Sequence, residues 1–294
     1  MSAAVLSVVI PTRNRCQVLR DALLALERSE GFDGGFEVIV IDDGSTDDTA
    51  RLLASVVPSR FVLKILAQPA SGPARARNLG LREVAAPRVL LLGDDTLVGP
   101  KTLAAHLVAA GGREVAVQGR IEWDPDLEVT PVMDFLAPAG PQFYFKGLAD
   151  GQRISWRELL ASNLSAPASW FEDERFDERF PIAGFEDTEL AFRWARRGHE
   201  AFYSAQAVCW HRHRYDSIEP FLERQRRVGQ AARLAARLHP SLLPRAVLQP
   251  TLFGGLVAVR HGWRRLAGRA RTQDAWDLRC RAAFLRGFLE GGAP

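Results

Sequence analysis

The stretch Phe36-Glu-Val-Ile-Val-Ile-Asp-Asp-Gly44 decides the fold class of this 294-residue chain. A continuous apolar run of this kind predicts a strand buried on both faces, as in parallel sheets. The run ends at two aspartates and a glycine, and Ser45 and Thr46 can cap a helix from about Asp47 to Val56. A strand that leads through a polar turn into a helix is the βα unit of an α/β protein.

The same unit recurs on both sides of this stretch. The other predicted strands are Val5–Ile10, Phe61–Leu66, Arg88–Leu92 and Val115–Gly119, and the other predicted helices are Arg15–Arg28, Pro73–Val84 and Pro100–Ala110. We therefore predict a mainly parallel central sheet flanked by helices, with ligands bound outside the carboxyl ends of the strands.

Composition limits the kinds of protein that the chain can be. Hydrophobic residues make up 47% of it, enough for a substantial core. No run reaches the roughly 18 apolar residues of a membrane span, and the N-terminus lacks the charged segment of a signal peptide. The 3 cysteines lie far apart, so a disulfide framework is not expected. We expect a cytoplasmic location, because cytoplasmic proteins rarely contain disulfides.

Charge is distributed unevenly along the chain. Residues 210–294 hold 16 arginines against 6 acids, whereas the whole chain has 38 basic and 35 acidic residues. The pattern predicts a basic, helical C-terminal extension that contacts the anionic inner face of a membrane or a protein partner. A solvated helical appendage is the alternative. No nucleic-acid recognition motif accompanies the arginines, so no nucleic acid is expected as a partner.

Polar motifs follow three of the predicted strands. They are Pro11-Thr12, Asp42-Asp43 and Asp94-Asp95, and strand ends of one parallel sheet meet at one edge. An acid there can accept hydrogen bonds from a base or a ribose hydroxyl. The Asp94-Asp95 pair also suits a hard divalent cation, Mn²⁺ or Mg²⁺, beside a diphosphate. Either acid pair could instead only cap a turn.

Two later motifs carry further candidate chemistry. Gly184-Phe-Glu-Asp187 opens a predicted helix, so Asp187 could be a general base, or the acids could only complement the helix dipole. His211 and His213 follow a short predicted strand, Val208–Trp210, where one of them could bind a metal or a diphosphate, or be structural.

The helix that begins at Pro73 carries two arginines two residues apart, Arg75 and Arg77. Such residues face different directions on a helix, so one could reach a phosphate or a base while the other is solvated. An ordinary basic helix is the alternative.

Together these motifs resemble family 2 glycosyltransferases of the GT-A fold over about residues 5–230. The matching stretches are Ser7–Asn14, Val38–Ser45, Gly72–Gly80, Leu92–Asp95, Asn163–Ser165, Phe176–Glu178 and Gly184–Asp187. The resemblance implies an inverting, metal-dependent hexosyltransferase. Its donor would be a nucleotide-diphosphate sugar, UDP- or dTDP-linked, and its acceptor a saccharide or lipid-linked hydroxyl, as in polysaccharide biosynthesis.

The resemblance also implies a role for each motif residue. Asp43 would contact the base, in a pocket lined by Pro11 and Arg13, and Thr12, Arg77 and Asp94 would bind the nucleotide-sugar. Asp95 of the DxD-like motif and His211 would bind the metal, although Gly93 stands where the family often has an acid. Asp187 would be the catalytic base, supported by Glu186.

The predicted organisation has three parts: residues 1–120 for the donor, 121–215 for the acceptor and catalysis, and 216–294 as the basic helical extension. Acceptor selection is expected in residues 121–180, whose aromatic side chains could stack on sugars or belong to the core: Trp123, Phe135, Phe143, Tyr144 and Phe145. Two other functions compete, a non-catalytic nucleotide-sugar-binding scaffold and a sugar-phosphate nucleotidyltransferase. The basic, Gly-rich loop of the latter is absent after the first strand.

Overall fold

A computed structural model of the chain describes residues 4–31, 34–143, 145–242, 259, 263–264 and 271–290. In these residues nine strands form one sheet in the order β3-β2-β1-β4-β8-β6-β9-β5, with β7 paired to β9. The strands are β1 Ala4–Thr12, β2 Gly35–Asp42, β3 Val62–Ala67, β4 Arg88–Leu92, β5 Thr96–Val98, β6 Ala116–Trp123, β7 Arg153–Ile154, β8 Asn163–Pro167 and β9 Ala201–His211.

Helices cover both faces of the sheet. They are α1 Cys16–Glu27, α2 Thr49–Ser55, α3 Pro73–Leu81, α4 Thr102–Ala110, α5 Pro131–Leu136, α6 Ala168–Asp173, α7 Glu186–Arg196, α8 Glu219–Leu238 and α9 Thr272–Glu290. Successive residues of each inner strand point to opposite faces, so β1 places Val9 in one apolar cluster and Val8 and Ile10 in another. The predicted α/β class, with a central sheet between helices, is confirmed.

Four of the predicted strands form a parallel half-sheet, β3-β2-β1-β4. Beyond β4 the sheet is mixed, because β8 pairs antiparallel with both β4 and β6. β6 and β9 then pair parallel to each other. The sheet is therefore parallel where it carries the donor-side motifs and mixed where the later residues join it. The predicted boundary between residues 120 and 121 falls within β6.

Three strands have no counterpart in the sequence prediction: β5, β7 and β8. β5 and β7 have only 3 and 2 residues. All five residues of β8 are buried, yet its sequence, Asn-Leu-Ser-Ala-Pro, is polar at alternate positions. β9 spans 11 residues, where the sequence predicted only Val208–Trp210, because small and polar residues interrupt its apolar pattern.

A buried polar network explains why β8 can be polar inside the sheet. His106 on α4 lies with Nε2 2.8 Å from Asn163 Oδ1 and Nδ1 3.0 Å from Ser165 Oγ. The Asn163 amide donates to the carbonyls of Arg120 and Ala207. Burial lowers the pKa of His106 to about 4, so the imidazole is neutral at pH 7. Each buried group thus has a partner, as burial requires.

The described part of the C-terminal extension is a tightly packed pair of helices. A Cβ added at Gly229 of α8 would lie 2.0 Å from the Phe284 carbonyl of α9, and one at Gly287 would lie 1.8 Å from the Arg226 carbonyl. The predicted helical structure after residue 216 is observed in α8 and α9. Most of residues 243–270 lie outside the described residues. No helix in the described ranges is long and apolar enough to cross a membrane.

Many arginines of this helix pair have acidic partners. The ion pairs include Arg226 with Glu223 and Glu290, Arg279 with Glu219, and Arg281 with Asp277. These pairs offset part of the positive charge that the sequence places in this region.

Candidate active site

Three buried polar residues lie together at the carboxyl ends of β1, β2 and β4. Thr12, Asp43 and Asp94 are 3%, 5% and 8% exposed. The Thr12 hydroxyl donates to Asp94 Oδ2 at 2.8 Å, and the Asp43 amide donates to the Thr12 carbonyl at 2.9 Å. Three residues that the sequence assigns to the donor are therefore in direct contact at one rim of the sheet.

Asp43 organises the loop that precedes α3. Its Oδ1 accepts hydrogen bonds from Gln68 Nε2 at 2.7 Å and the Ser71 amide at 2.8 Å, and its Oδ2 accepts from the Gly72 amide at 2.8 Å. Gly72 has φ 94°, and a Cβ there would lie 2.5 Å from the Pro181 carbonyl. The loop thus approaches the segment that leads into α7 so closely that only glycine fits.

Arg15 connects the two acids that follow β4. Its Nη1 donates to Asp94 Oδ1 at 3.1 Å and to Asp95 Oδ2. The family resemblance pointed to the neighbouring Arg13, and no local pattern distinguishes Arg15 from it, because both residues simply follow β1. Only the fold brings the two motifs together across the edge of the sheet.

The two acids of this pair have different proton affinities. Burial and the negative charge of Asp95 raise the pKa of Asp94 to about 6, against the opposing effect of Arg15. His211 and Arg15 hold the pKa of Asp95 well below its usual value, although burial acts in the other direction. Asp95 is therefore the acid that stays ionised across the physiological pH range.

His211 at the end of β9 faces Asp95, with Nε2 3.4 Å from Asp95 Oδ2. The imidazole packs against the rings of Trp123 and Phe143, at centroid distances of 5.5 and 5.3 Å. His213 lies 5.8 Å from His211, and burial lowers the pKa of His213, while its ring packs on Tyr215. The two histidines that the sequence singles out thus differ: His211 faces the acid pair and His213 faces an aromatic ring.

Asp95 and His211 fit a divalent cation in chemistry and spacing. Carboxylate oxygen and imidazole nitrogen both bind Mn²⁺, and 3.4 Å suits two adjacent ligands whose bonds to one ion are about 2.0–2.2 Å. In the part of the chain that the structure describes, no three His, Cys, Asp or Glu side chains form a metal-binding group. Protein ligands would therefore fill only part of the coordination shell, leaving positions for phosphate and water.

Asp187 lies in the first turn of α7, half-buried and held by backbone amides. Its Oδ2 accepts from the Ala161 amide at 3.2 Å and its Oδ1 from the Thr188 amide at 2.8 Å. Burial and the adjacent charge of Glu186 raise the pKa of Asp187 to about 6. A carboxylate with that pKa is ionised at pH 7 and is a stronger base than an ordinary aspartate.

The contact with Ala161 places Asp187 near the acid pair. Ala161 precedes β8, whose first residue, Asn163, pairs with Leu92 at the end of β4. A Cβ added at Gly93 would lie 3.8 Å from Ser162 Oγ. The fold thus brings the motif of α7 to the edge of the sheet where Asp94 and Asp95 lie.

Arg77 and Glu186 form a buried ion pair beside Asp187. Arg77 Nη1 lies 2.8 Å from Glu186 Oε1, and the two side chains are 8% and 3% exposed. Glu186 Oε2 also accepts from the Gly184 amide at 2.6 Å. Arg75, two residues earlier, is 61% exposed and 3.9 Å from Glu178. The sequence-based expectation that the two arginines face different directions is met, and Arg77 faces the protein.

The remaining candidates lie around this rim. Pro11 is half-buried and Arg13 is exposed at the end of β1. The aromatic residues of the segment after β6 are largely interior: Phe143 and Phe145 are 4% and 5% exposed, and their rings stack at a centroid distance of 6.3 Å. Tyr144 lies outside the described residues. Of the two roles that the sequence left open for these aromatics, Phe143 and Phe145 fill the core.

Comparison with known proteins gives three results. The model of the family "Glycosyl transferase family 2" matches residues 7–148. Validoxylamine A glucosyltransferase of Streptomyces hygroscopicus subsp. jinggangensis (strain 5008) is 30% identical over 306 residues, which cover 92% of this chain and 70% of the relative. The GalNAc(5)-diNAcBac-PP-undecaprenol beta-1,3-glucosyltransferase of Campylobacter jejuni is 27% identical over 60% of this chain and 55% of its own length.

The fold has solved counterparts. The mannosyltransferase PcManGT from Pyrobaculum calidifontis, in complex with GDP-Man and Mn²⁺, superposes with a TM-score of 0.69 at 17% identity. The superposition covers 98% of this chain and 87% of that one. At this identity the likeness concerns the fold, and it extends over the parallel half-sheet and the mixed half alike.

Proposed function

The chain belongs to glycosyl transferase family 2, and from this premise we propose that it is an inverting, metal-dependent transferase. The donor is a nucleotide-diphosphate sugar, UDP- or dTDP-linked, and the acceptor is a hydroxyl of a saccharide or a related compound. Membership of the family makes the chain a glycosyltransferase and disfavours a sugar-phosphate nucleotidyltransferase.

Asp187 carries the proposal. In an inverting transfer the acceptor hydroxyl attacks the anomeric carbon from the face opposite the departing diphosphate, and a base must take its proton as the bond forms. Asp187 has a pKa raised to about 6, and two backbone amides fix its carboxylate. The buried Arg77–Glu186 pair fixes the neighbouring residue, so the first turn of α7 is held from both sides.

The donor would bind along the rim formed by β1, β2 and β4. Asp43 keeps the loop before α3 in place, and about one of the roughly four acceptor sites of its carboxylate is left for a base N–H, because its two oxygens accept three hydrogen bonds in all. Asp95 and His211 would hold Mn²⁺ or Mg²⁺. Such a cation neutralises the charge that develops on a departing diphosphate.

A donor screen tests the proposal. Hydrolysis of UDP-, dTDP- and GDP-sugars, including UDP-glucose and GDP-mannose, is measured with Mn²⁺ and with a chelator. We expect metal-dependent release of a nucleoside diphosphate from one donor class. Binding of a nucleotide-sugar without hydrolysis or transfer to any acceptor would favour the non-catalytic scaffold instead.

We further propose that the acceptor can be lipid-linked and that the basic extension contacts the inner, anionic face of a membrane. Support comes from the arginine excess of residues 210–294, and the ion pairs within the helix pair oppose it. Co-sedimentation with anionic and neutral liposomes at two salt concentrations decides: pelleting only with anionic lipid, and less at the higher salt, is the expected result.

A further inference from the structure

One cation already stands between the acids of the proposed metal site. A single nitrogen, Nη1 of Arg15, contacts carboxylate oxygens of both Asp94 and Asp95. The Asp95 oxygen that it contacts, Oδ2, is also the one that faces His211 Nε2. A metal ion bound by Asp95 and His211 would therefore need the oxygen that the guanidinium occupies.

The two cations cannot occupy this place together. A divalent ion at bonding distance from Asp95 Oδ2 would lie within a few ångströms of Arg15 Nη1, where like charges repel strongly in a partly buried site. One of the two must leave for the other to bind.

The surroundings show which group can move. The Arg15 side chain is 42% exposed, whereas those of Asp94 and Asp95 are 11% and 14% exposed. Thr12 donates to Asp94, and His211 packs between aromatic rings beside Asp95, so the acids and the histidine are fixed. Arg15 precedes the first turn of α1 and has a long, rotatable side chain that can swing into solvent.

We propose that Arg15 is a resident counter-cation of the acid pair, which a divalent metal displaces, and that the nucleotide diphosphate then receives the freed guanidinium. The second part rests on the proposed function, because it requires a diphosphate at this rim. Guanidinium groups bind phosphate oxygens in a bidentate manner. Binding of the metal and binding of the nucleotide therefore favour each other. The metal replaces Arg15 beside the acids, and the phosphate oxygens of the nucleotide give the displaced guanidinium a new partner.

Mn²⁺ binding to the full chain without nucleotide tests the first part, by electron paramagnetic resonance of the free ion or by calorimetry. We expect Arg15→Gln to bind Mn²⁺ at least about fivefold more tightly than the wild type. Arg20→Gln removes one charge from an exposed position on α1 and should change the affinity less than about twofold. Asp95→Asn should abolish Mn²⁺ binding in both backgrounds.

The coupling between ligands tests the second part. Saturating UDP should tighten Mn²⁺ binding to the wild type by a larger factor than to Arg15→Gln. Arg15→Lys keeps the charge without the planar fork and should bind Mn²⁺ alone with an affinity between those of the wild type and Arg15→Gln. Circular dichroism and thermal melting establish that each variant is folded.

Equal or weaker Mn²⁺ binding by a folded Arg15→Gln would overturn the inference, and so would the absence of Mn²⁺ binding from both proteins. In the latter case, turnover of a nucleotide-sugar in the presence of a chelator would leave the glycosyltransferase proposal standing without its metal. Conversely, tighter Mn²⁺ binding by Arg15→Gln with no donor turned over would support the counter-cation and count against the proposed function.

Discussion

Two of the pairs of consecutive acids at the site, Asp94-Asp95 and Glu186-Asp187, each contact one arginine. Asp94 and Asp95 follow a strand, and Arg15 contacts both of them. Glu186 and Asp187 open a helix, and Arg77 contacts only Glu186. In both pairs burial and the charge of the adjacent acid raise the pKa of one member, Asp94 or Asp187, to about 6.

The pairs differ in the freedom of their arginines. The Arg15 side chain is 42% exposed, whereas that of Arg77 is 8% exposed and lies over the Phe176 ring at 5.3 Å. An arginine that can leave makes an acid pair available to another cation. One that is buried fixes its acid, and among the contacts described it leaves the neighbouring Asp187 without an ion-pair partner. Two consecutive acids can thus allow one cation to replace another where their arginine is exposed, and can fix a helix start where their arginine is buried.

The largest expected effect is on the chemical step. Asp187→Asn keeps the shape of the side chain and removes the base, so transfer should fall by at least about a hundredfold. UDP and Mn²⁺ binding should remain near those of the wild type. Asp173→Asn, at a 70% exposed side chain on α6, is the matched control and should retain activity. Full transfer by Asp187→Asn would assign the base to another residue, with Glu186 next.

Next comes the stability of the buried pair. Arg77→Met leaves Glu186 buried without its partner, so the free energy of unfolding, measured with urea, should fall by about 3 kcal/mol. Arg75→Met, on the exposed side of the same helix, should change it by less than about 0.5 kcal/mol. The double variant Arg77→Met/Glu186→Gln should recover much of the loss. Equal losses in the free energy of unfolding for Arg75→Met and Arg77→Met would contradict a stabilising role specific to the buried Arg77.

A smaller effect is expected from pH. Because Asp187 must be ionised to accept a proton and its pKa is raised to about 6, kcat/KM should fall about tenfold for each pH unit below that value and level off above it. Asp94 titrates in the same range, so Asp94→Asn is measured in parallel and should keep the acid limb. If the fall of kcat/KM at low pH disappeared in Asp94→Asn and remained in Asp187→Asn, the titrating group would be Asp94 and not Asp187.

The smallest effect concerns ligand-induced stabilisation. UDP with Mn²⁺ should raise the thermal midpoint of the wild type by a few degrees, since a ligand present at about 100 times its Kd contributes about 2.7 kcal/mol. Asp95→Ala should remove the part of this shift that depends on metal. An unchanged metal-dependent shift would exclude Asp95 from the metal site.

The sequence predicts the parallel half of the sheet well, because β1, β2 and β4 are continuous apolar runs that end at polar turns. It predicts the mixed half poorly. β8 is buried although it carries Asn163 and Ser165, and it depends on His106, which is 57 residues away from Asn163 along the chain. No local pattern encodes such a pairing.

For the site, the motif acids and His211 could be chosen from their positions after strands or at a helix start. The arginines that pair with these acids could not be chosen in this way. Which of Arg13 and Arg15 reaches the acids, and whether Arg77 faces solvent or protein, depends on contacts between residues that lie about 80 and 109 positions apart. The sequence specifies the charges, and tertiary packing decides which of them meet.

The place of β8 in the sheet bears on how relatives of this chain can diverge. β8 comes late in the chain but lies between β4 and β6, two earlier strands. A recombination event that exchanged the region from β6 through β8 for that of a relative would therefore replace a central strand, together with Asn163, the partner of His106 on α4. Such chimaeras should rarely fold. Relatives are then expected to diverge in this region by point substitution and by insertion in the connection from β6 to β8.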